Sequence, residues 1–366
     1  MIDDPSDPVA EFSASYAEAR DKFLAAATAR GALIERHVHP HARGAQDEPL
    51  SMDVAFIGRT DAKTLLLLTS GTHGVEGFCG SGCQVALLRD DAFADAARAA
   101  GVATLLVHAV NPYGFSHLRR VNEDNVDLNR NFHDFQGPLP VNAGYAELHA
   151  TLLPAQWPPA AENRAAIGAF LARKGPQAYQ AAVSGGQHAF PDGLFYGGTR
   201  PTWSNDTVRA LLRQHAASRT ALGWIDFHTG LGPAAHGEKI YAGRNQPEDL
   251  ARARRWWGPE VTSFHDGSST SAELTGVMYL AAYQECPGTE YTGIALEYGT
   301  VPLERVFDAL RADHWLHNHP ESAAQQEAIH REMREAFFID TPEWKRAVVS
   351  QARAAALAAI HHLGGL

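Results

Sequence analysis

His73 and Glu76 stand three residues apart in the stretch 65–80, LLLLTSGTHGVEGFCG. At the start of a helix this spacing sends both side chains to one side. An imidazole nitrogen and a carboxylate oxygen together suit a borderline cation such as zinc, and a catalytic site of two His and one Glu leaves a fourth position open to water. The pair therefore asks for a second histidine; taken alone, it also suits a capped helix start. His228 answers it, because the apolar run from Trp224 to Phe227 ends there and a glycine-bearing turn follows, the context that also holds His73. Asp226, two residues earlier on the same side of a strand, can orient that imidazole. Glu297 closes another apolar run, where a carboxylate is seldom buried without a partner or a role; a salt bridge to a neighbour is the plainer alternative. Between these points lie Asn111-Pro112-Tyr113-Gly114, Arg119-Arg120-Val121-Asn122 and Asp127-Leu128-Asn129-Arg130-Asn131-Phe132. Arginines with asparagine neighbours suit bidentate recognition of a carboxylate. Asp127 could equally pair with an arginine to brace the loop.

The elements around these residues follow from their periodicity. Four consecutive leucines, Leu65 to Leu68, read as a strand buried on both faces, and residues 104–109 (TLLVHA) as another, with helices over 81–88 and 91–100 between them. Strand, helix, strand is the crossover unit of a largely parallel sheet, in which sites gather at the carboxyl ends of strands. His73 and Asn111 fall at such ends. Residues 8–31 predict a first helix, 33–39 and 53–58 strands, 205–221 and 246–257 helices, and 239–242 a short strand. Residues 134–203 are rich in Pro and Gly; one helix over 160–173 is expected and the rest irregular, lining the site. There Phe195, Tyr196 and Trp203 wall a substrate pocket or pack against the body. The tail from 302 to 366 reads as helices over 303–312, 321–337 and 342–363, which cover the sheet or mediate self-association. The expected organisation is one domain, 1–366, with a site-lining insertion at about 134–203 and a helical extension at about 302–366.

Composition narrows the class. A chain of 366 residues, 45% hydrophobic, can bury a substantial core, and a formal charge of −11 without a Lys/Arg cluster argues against a nucleic-acid partner. Three cysteines, Cys79, Cys83 and Cys286, are an odd count that fits reduced, packed thiols rather than a disulfide framework. The acidic beginning MIDDPSDPVAEF carries no secretion signal, and no apolar run approaches the roughly 20 residues of a membrane span, so a cytoplasmic location is the default expectation. His37, His39 and His41 would share one face of a strand, but no cysteine or carboxylate falls within the run and Pro40 interrupts it, so they read as a solvent-facing strand end. His314, His317 and His319 read as a surface loop. The turn Gly71-Thr72-His73-Gly74 lacks the lysine of a phosphate-binding loop.

The order His-x-x-Glu, Arg, Asp-Leu-Asn-Arg-Asn-Phe, Asp-x-His and a Glu at a strand end resembles the zinc carboxypeptidase superfamily over roughly residues 52–300. This is the group of carboxypeptidase A that also holds the aspartoacylase and succinylglutamate desuccinylase deacylases. The resemblance implies an α/β fold, a three-layer α/β/α sandwich with a mixed, mostly parallel central sheet. It implies one zinc per chain on His73, Glu76 and His228, Glu297 as general base and acid, and Arg120 polarising the scissile carbonyl. Asn129 and Arg130 would hold the substrate's carboxylate; Arg119, adjacent to Arg120, is a further substrate-binding candidate. The superfamily's substrate-capping tyrosine has no clear counterpart, and Tyr279, then Tyr283 and Tyr291, are the candidates. Two departures concern the substrate: the long insertion, and a helical tail where the deacylases have a small β-domain. The implied activity is hydrolysis of an amide next to a free carboxylate, with a short peptide as first substrate and an N-acyl amino acid as second. A non-catalytic, metal-stabilised binding protein would be expected to lack the base or an arginine, and both are present.

Overall fold

The computed structural model describes residues 7–366. Residues 1–6 of the acidic beginning read above lie outside the described residues. Eight strands form one sheet: β1 (Leu33–Arg43), β2 (Pro49–Ile57), β3 (Thr64–Ser70), β4 (Val102–His108), β5 (Ala221–Ala234), β6 (Gly237–Tyr241), β7 (Thr262–Ser263) and β8 (Glu290–Gly299), in the order β1-β2-β4-β3-β5-β8-β6-β7. The centre, β4-β3-β5-β8, is parallel throughout, as is β6/β7; β1/β2, β2/β4 and β6/β8 are antiparallel.

Alternation along the central strands builds two cores, one on each face. Leu66 and Leu68 of β3, Ile225 and Phe227 of β5 and Ile294 and Leu296 of β8 face the helices Tyr16–Ala29, Gly77–Arg89 and Pro342–Leu363. Leu65 and Leu67, Leu222 and Trp224 face the helices Trp203–His215 and Leu280–Glu285. The three-layer α/β/α arrangement expected above is the observed one. Part of the tail covers the sheet, since the helix Pro342–Leu363 packs on β3 and β5. Among the described residues no helix is long and apolar enough to cross a membrane.

Several expectations differ from the structure for local reasons. The first helix begins at Tyr16 rather than at 8, because Ser15 caps it, its hydroxyl accepting from Glu18 N at 3.2 Å, while Pro8–Glu11 form a separate 3-10 turn. The insertion holds three helices, not one: Ala143–Leu152, Ala161–Lys174 and Pro176–Ser184. Asn142 caps the first through Tyr145 N, and Gly175 at φ 84° lets the third start at Pro176 directly after the second. His39 is not solvent-facing: it is buried against Trp203 and lies 2.9 Å from Glu123. His314 lies within the helix Leu303–Asn318 rather than in a loop, buried, with Nδ1 2.9 Å from Leu310 O. The three cysteines are free and buried.

Two buried histidines make stability pH-dependent. Burial pushes His108 down to about 4 and His314 to about 3. An unfolded histidine titrates near 6.5, so between that value and about 4 the unfolded chain binds the extra protons, and stability falls as pH falls through this window. Each residue contributes a slope of about 1.4 kcal/mol per pH unit there. Urea unfolding of His108→Leu from pH 7 to 4.5 should show a pH dependence shallower than wild type by about that amount; identical slopes would contradict the assignment.

Candidate metal centre and active site

The parallel centre of the sheet brings the separated motifs to one edge. β3 ends at Ser70, β5 passes through His228 and β8 through Glu297, with Ser70 opposite Phe227 and His228 opposite Glu297 in register. After β3 the chain turns through Gly71, at φ 64°, into His73 and a short 3-10 turn, Gly74–Glu76. Gly74 has to be glycine, because a Cβ there would sit 2.0 Å from the backbone of Gly114. That close approach lets Gly74 N donate to Arg120 O at 3.1 Å and Val75 N to Arg119 O at 2.9 Å. The loop carrying Arg120 is thus fastened to the turn carrying His73 and Glu76.

His73, Glu76 and His228 converge, each with one potential ligand atom within 4.8 Å of the others'. His73 Nδ1 lies 2.8 Å from Glu76 Oε1, His228 Nδ1 2.9 Å from Glu76 Oε2, and the two Nδ1 atoms 3.2 Å apart. Two nitrogens held at about 2.0–2.1 Å by one tetrahedral ion stand about 3.3 Å apart, so the donor set and its spacing fit zinc. Burial lowers the pKa of His228, but the Asp226 charge, its hydrogen bond and Glu76 outweigh burial and hold the imidazole well above its usual value. A proton on this ring competes with a metal ion for the same nitrogen, so metal affinity there falls as pH falls.

Both imidazoles have a carboxylate on their far side. His228 Nε2 lies 2.7 Å from Asp226 Oδ2, and Asp226 also accepts from Thr69 Oγ1 at 2.6 Å and from Thr72 Oγ1 at 3.0 Å. His73 Nε2 lies 3.3 Å from Asp127 Oδ1. Asp127 in turn accepts from Arg120 Nε at 2.9 Å and from Asn129 N at 2.9 Å. The bracing read from sequence is present, and Asp127 reaches the histidine as well. That second contact has no signal in the sequence, because it depends on the loop being folded against the β3 turn.

Glu297 lines the same cavity, buried, with Oε1 accepting from Leu231 N at 3.0 Å. Burial, with the Glu76 charge adding to it, raises its pKa to about 8. Arg120 lines the cavity too, with Nη1 3.1 Å from Glu76 Oε1 and Nη2 2.7 Å from His73 Nε2. Of five guanidinium N–H groups, it keeps some free for a ligand. Asn129 receives Met278 N on its side-chain oxygen at 2.9 Å, which leaves the amide nitrogen for the cavity. Arg130 is anchored to the backbone: Nε and Nη2 donate to Ser184 O, and Nη1 to Asn129 O. Arg119 is not brought to the cavity; it is buried against Asp313 at 3.0 Å and Asn125 at 3.0 Å. Tyr279 lines the cavity but its hydroxyl donates to Asp226 Oδ2 at 3.3 Å, so it is fixed behind His228. Tyr283 pairs with Tyr241 at 3.1 Å. Phe195 of the insertion lines the cavity, as do Gln180 and Ser184 of the helix Pro176–Ser184 and Leu303, Phe307 and Leu310 of the tail. Neither Tyr196 nor Trp203 lines it.

Comparison with known proteins follows this geometry. No curated protein matches the chain. Among solved structures, thrombin activatable fibrinolysis inhibitor aligns with a TM-score of 0.52 at 13% identity, covering 97% of this chain and 77% of its own. The bovine protein, in complex with tick carboxypeptidase inhibitor, aligns at 0.50 and 13% identity, covering 96% and 98%. Carboxypeptidase A from Helicoverpa armigera aligns at 0.48 and 14% identity, covering 93% and 73%. At such identities the likeness to thrombin activatable fibrinolysis inhibitor is one of fold alone. A family model described as "Protein of unknown function (DUF2817)" matches residues 12–351, and the chain belongs to that family.

Proposed function

We propose that this protein is a zinc-dependent hydrolase of an amide bond next to a free carboxylate, with short peptides as first substrates and carboxypeptidase action as the reaction. The observation that carries the reading is the convergence of His73, Glu76 and His228 beside a buried Glu297 and Arg120 in one cavity. His73, Glu76 and His228 would hold the ion, which when bound supplies a Lewis acid and brings the pKa of water down to about 7.

The chain's own groups do the rest. Glu297, once ionised, accepts a proton from the attacking water as the new C–O bond forms at the amide carbon. It then returns that proton to the leaving nitrogen as the C–N bond breaks, giving a carboxylic acid and an amine. Arg120 donates to the oxygen on which negative charge develops. Asn129 Nδ2 and the free N–H groups of Arg130 meet the substrate's carboxylate, the bidentate match that a guanidinium offers. The apolar lining of Ile240, Ala242, Phe264 and Ala295 suits an uncharged side chain beside that carboxylate.

Metal analysis of purified protein, with hydrolysis of a panel of C-terminal dipeptides and N-acyl amino acids, tests the reading. About one zinc per chain and chelator-sensitive release of an amino acid are expected; hydrolysis unaffected by chelation would sink it. Asp226→Asn should weaken zinc binding by about 10- to 100-fold, since it replaces the carboxylate that orients His228. Competition with a chromophoric chelator measures that affinity directly, and an unchanged value would contradict the role given to Asp226.

A further inference from the structure

Phe195 has a backbone conformation that its residue type does not favour. Its φ is 52°, the left-handed region in which a bulky residue is an outlier and Gly or Asn the usual occupant. Such strain persists where surrounding structure enforces it, and it gathers at functional sites. The enforcement is visible. Gln187 N donates to Phe195 O at 3.2 Å, and Gly197 N to Gln187 O at 2.8 Å. Leu194 N donates to Tyr145 Oη at 2.7 Å, and Asp127 N to Tyr196 O at 2.7 Å. The buried Gln187 ties its own loop together through Phe190 N and Phe190 O. The last of the bonds to the neighbours of Phe195 comes from the residue that pairs with Arg120.

The ring held in this way is buried, lines the cavity and meets both cations of the site. Arg120 Cζ lies 5.0 Å from the ring centroid and Arg130 Cζ 5.5 Å. Two like charges on one aromatic ring are unfavourable to each other; burial lowers Arg130 to about 10, with the Asp127 charge opposing the shift and the Arg120 charge adding to it. The negative face of an aromatic ring attracts a guanidinium within about 6 Å, most strongly where water is excluded. An aliphatic residue would fill the same space without that attraction.

We infer that Phe195 is a positioning residue that holds the guanidinium groups of Arg120 and Arg130 on one ring, setting the spacing between the donor for the developing oxyanion and the donor for the substrate's carboxylate. The kinetic part of this inference rests on the function proposed above; the positioning itself does not. The role also gives the long insertion a purpose, since it carries the ring from outside the catalytic sheet to the two arginines.

Full-length protein with Phe195→Leu, Phe195→Met and Phe195→Tyr tests it. Leu and Met keep an apolar side chain without a ring, and Tyr restores the ring; the second aliphatic variant serves if one fails to fold. In 15N-arginine-labelled protein, the Nε–H signals of Arg120 and Arg130 are assigned by loss in Arg120→Lys and Arg130→Lys. Those signals should exchange with solvent at least about 10-fold faster in the aliphatic variants and return to wild-type behaviour in Tyr. Unchanged exchange in Leu and Met would overturn the positioning role. In the amide assay kcat should fall about 10- to 100-fold in Leu and Met, the scale of a misplacement near 1 Å, with recovery in Tyr and melting temperatures alike across the three. Aliphatic variants with wild-type kcat, or a loss shared equally by Tyr, would overturn the inference as well. A wild-type protein that cleaves none of the panel, with the exchange difference intact, would instead refute the proposed function and leave the positioning role standing.

Discussion

Glu297→Gln is expected to keep zinc at wild-type stoichiometry and to lose amide hydrolysis by about 100- to 10,000-fold, the range assigned to a positioned acid or base. Glutamine preserves shape and can still accept the hydrogen bond from Leu231 N, so the backbone at the end of β8 has no reason to move. What it lacks is a carboxylate that can take and return a proton. The protein raises that carboxylate to about 8 through burial and the charge of Glu76. The group is therefore close to the point where it can both accept a proton from water and release it to an amine. Zinc analysis separates this outcome from loss of the metal: a variant with less zinc would show that Glu297 supports the cluster. A variant with full zinc and wild-type turnover would remove it from the reaction.

Arg120→Met should act on catalysis and stability together. The loss of a preorganised donor facing developing negative charge is expected to lower kcat/KM by about 100- to 1000-fold. The same substitution strips the buried Asp127 of its 2.9 Å partner, and breaking a buried ion pair from one side costs about 3–5 kcal/mol. Asp127 also contacts His73, so the stability loss should be smaller in zinc-loaded than in chelator-treated protein, where the imidazole is free to turn. Urea unfolding with and without chelator, together with kinetics at a concentration where the variant is folded, reads both effects. A variant with normal kcat/KM would show that Arg120 only braces its loop.

Arg119 and Arg120 show where one-dimensional reading stops. Adjacent residues of the same type in one loop are indistinguishable by spacing. The choice is made by Asp313, which lies in the helix Leu303–Asn318 and captures Arg119, and by Asp127 and Glu76, which hold Arg120 in the cavity. Tyr279 is a comparable case, as its position depends on how the segment before the helix Leu280–Glu285 passes behind Asp226. Pro and Gly punctuate the insertion and predict a mostly irregular segment, yet at Pro176 the ring begins a helix rather than ending one, since the first turn needs no N–H from that residue.

From the sequence alone came the apolar runs beside which His73, His228 and Glu297 stand, the alternation of helices and strands, and the ligand types suited to zinc; the turn expected after His228 is absent, since β5 runs on to Ala234. These are local properties: an apolar run reports its own burial, and a polar residue that closes such a run stands out against it. Only the folded chain decided which arginine faces the cavity, that Asp127 serves His73 and Arg120 at once, and that Phe195 lies under two guanidinium groups. The reason is that pairings between distant residues are set by register and packing, and a contact between residues 73 and 127 or 120 and 195 leaves no periodic trace in the segments that make it.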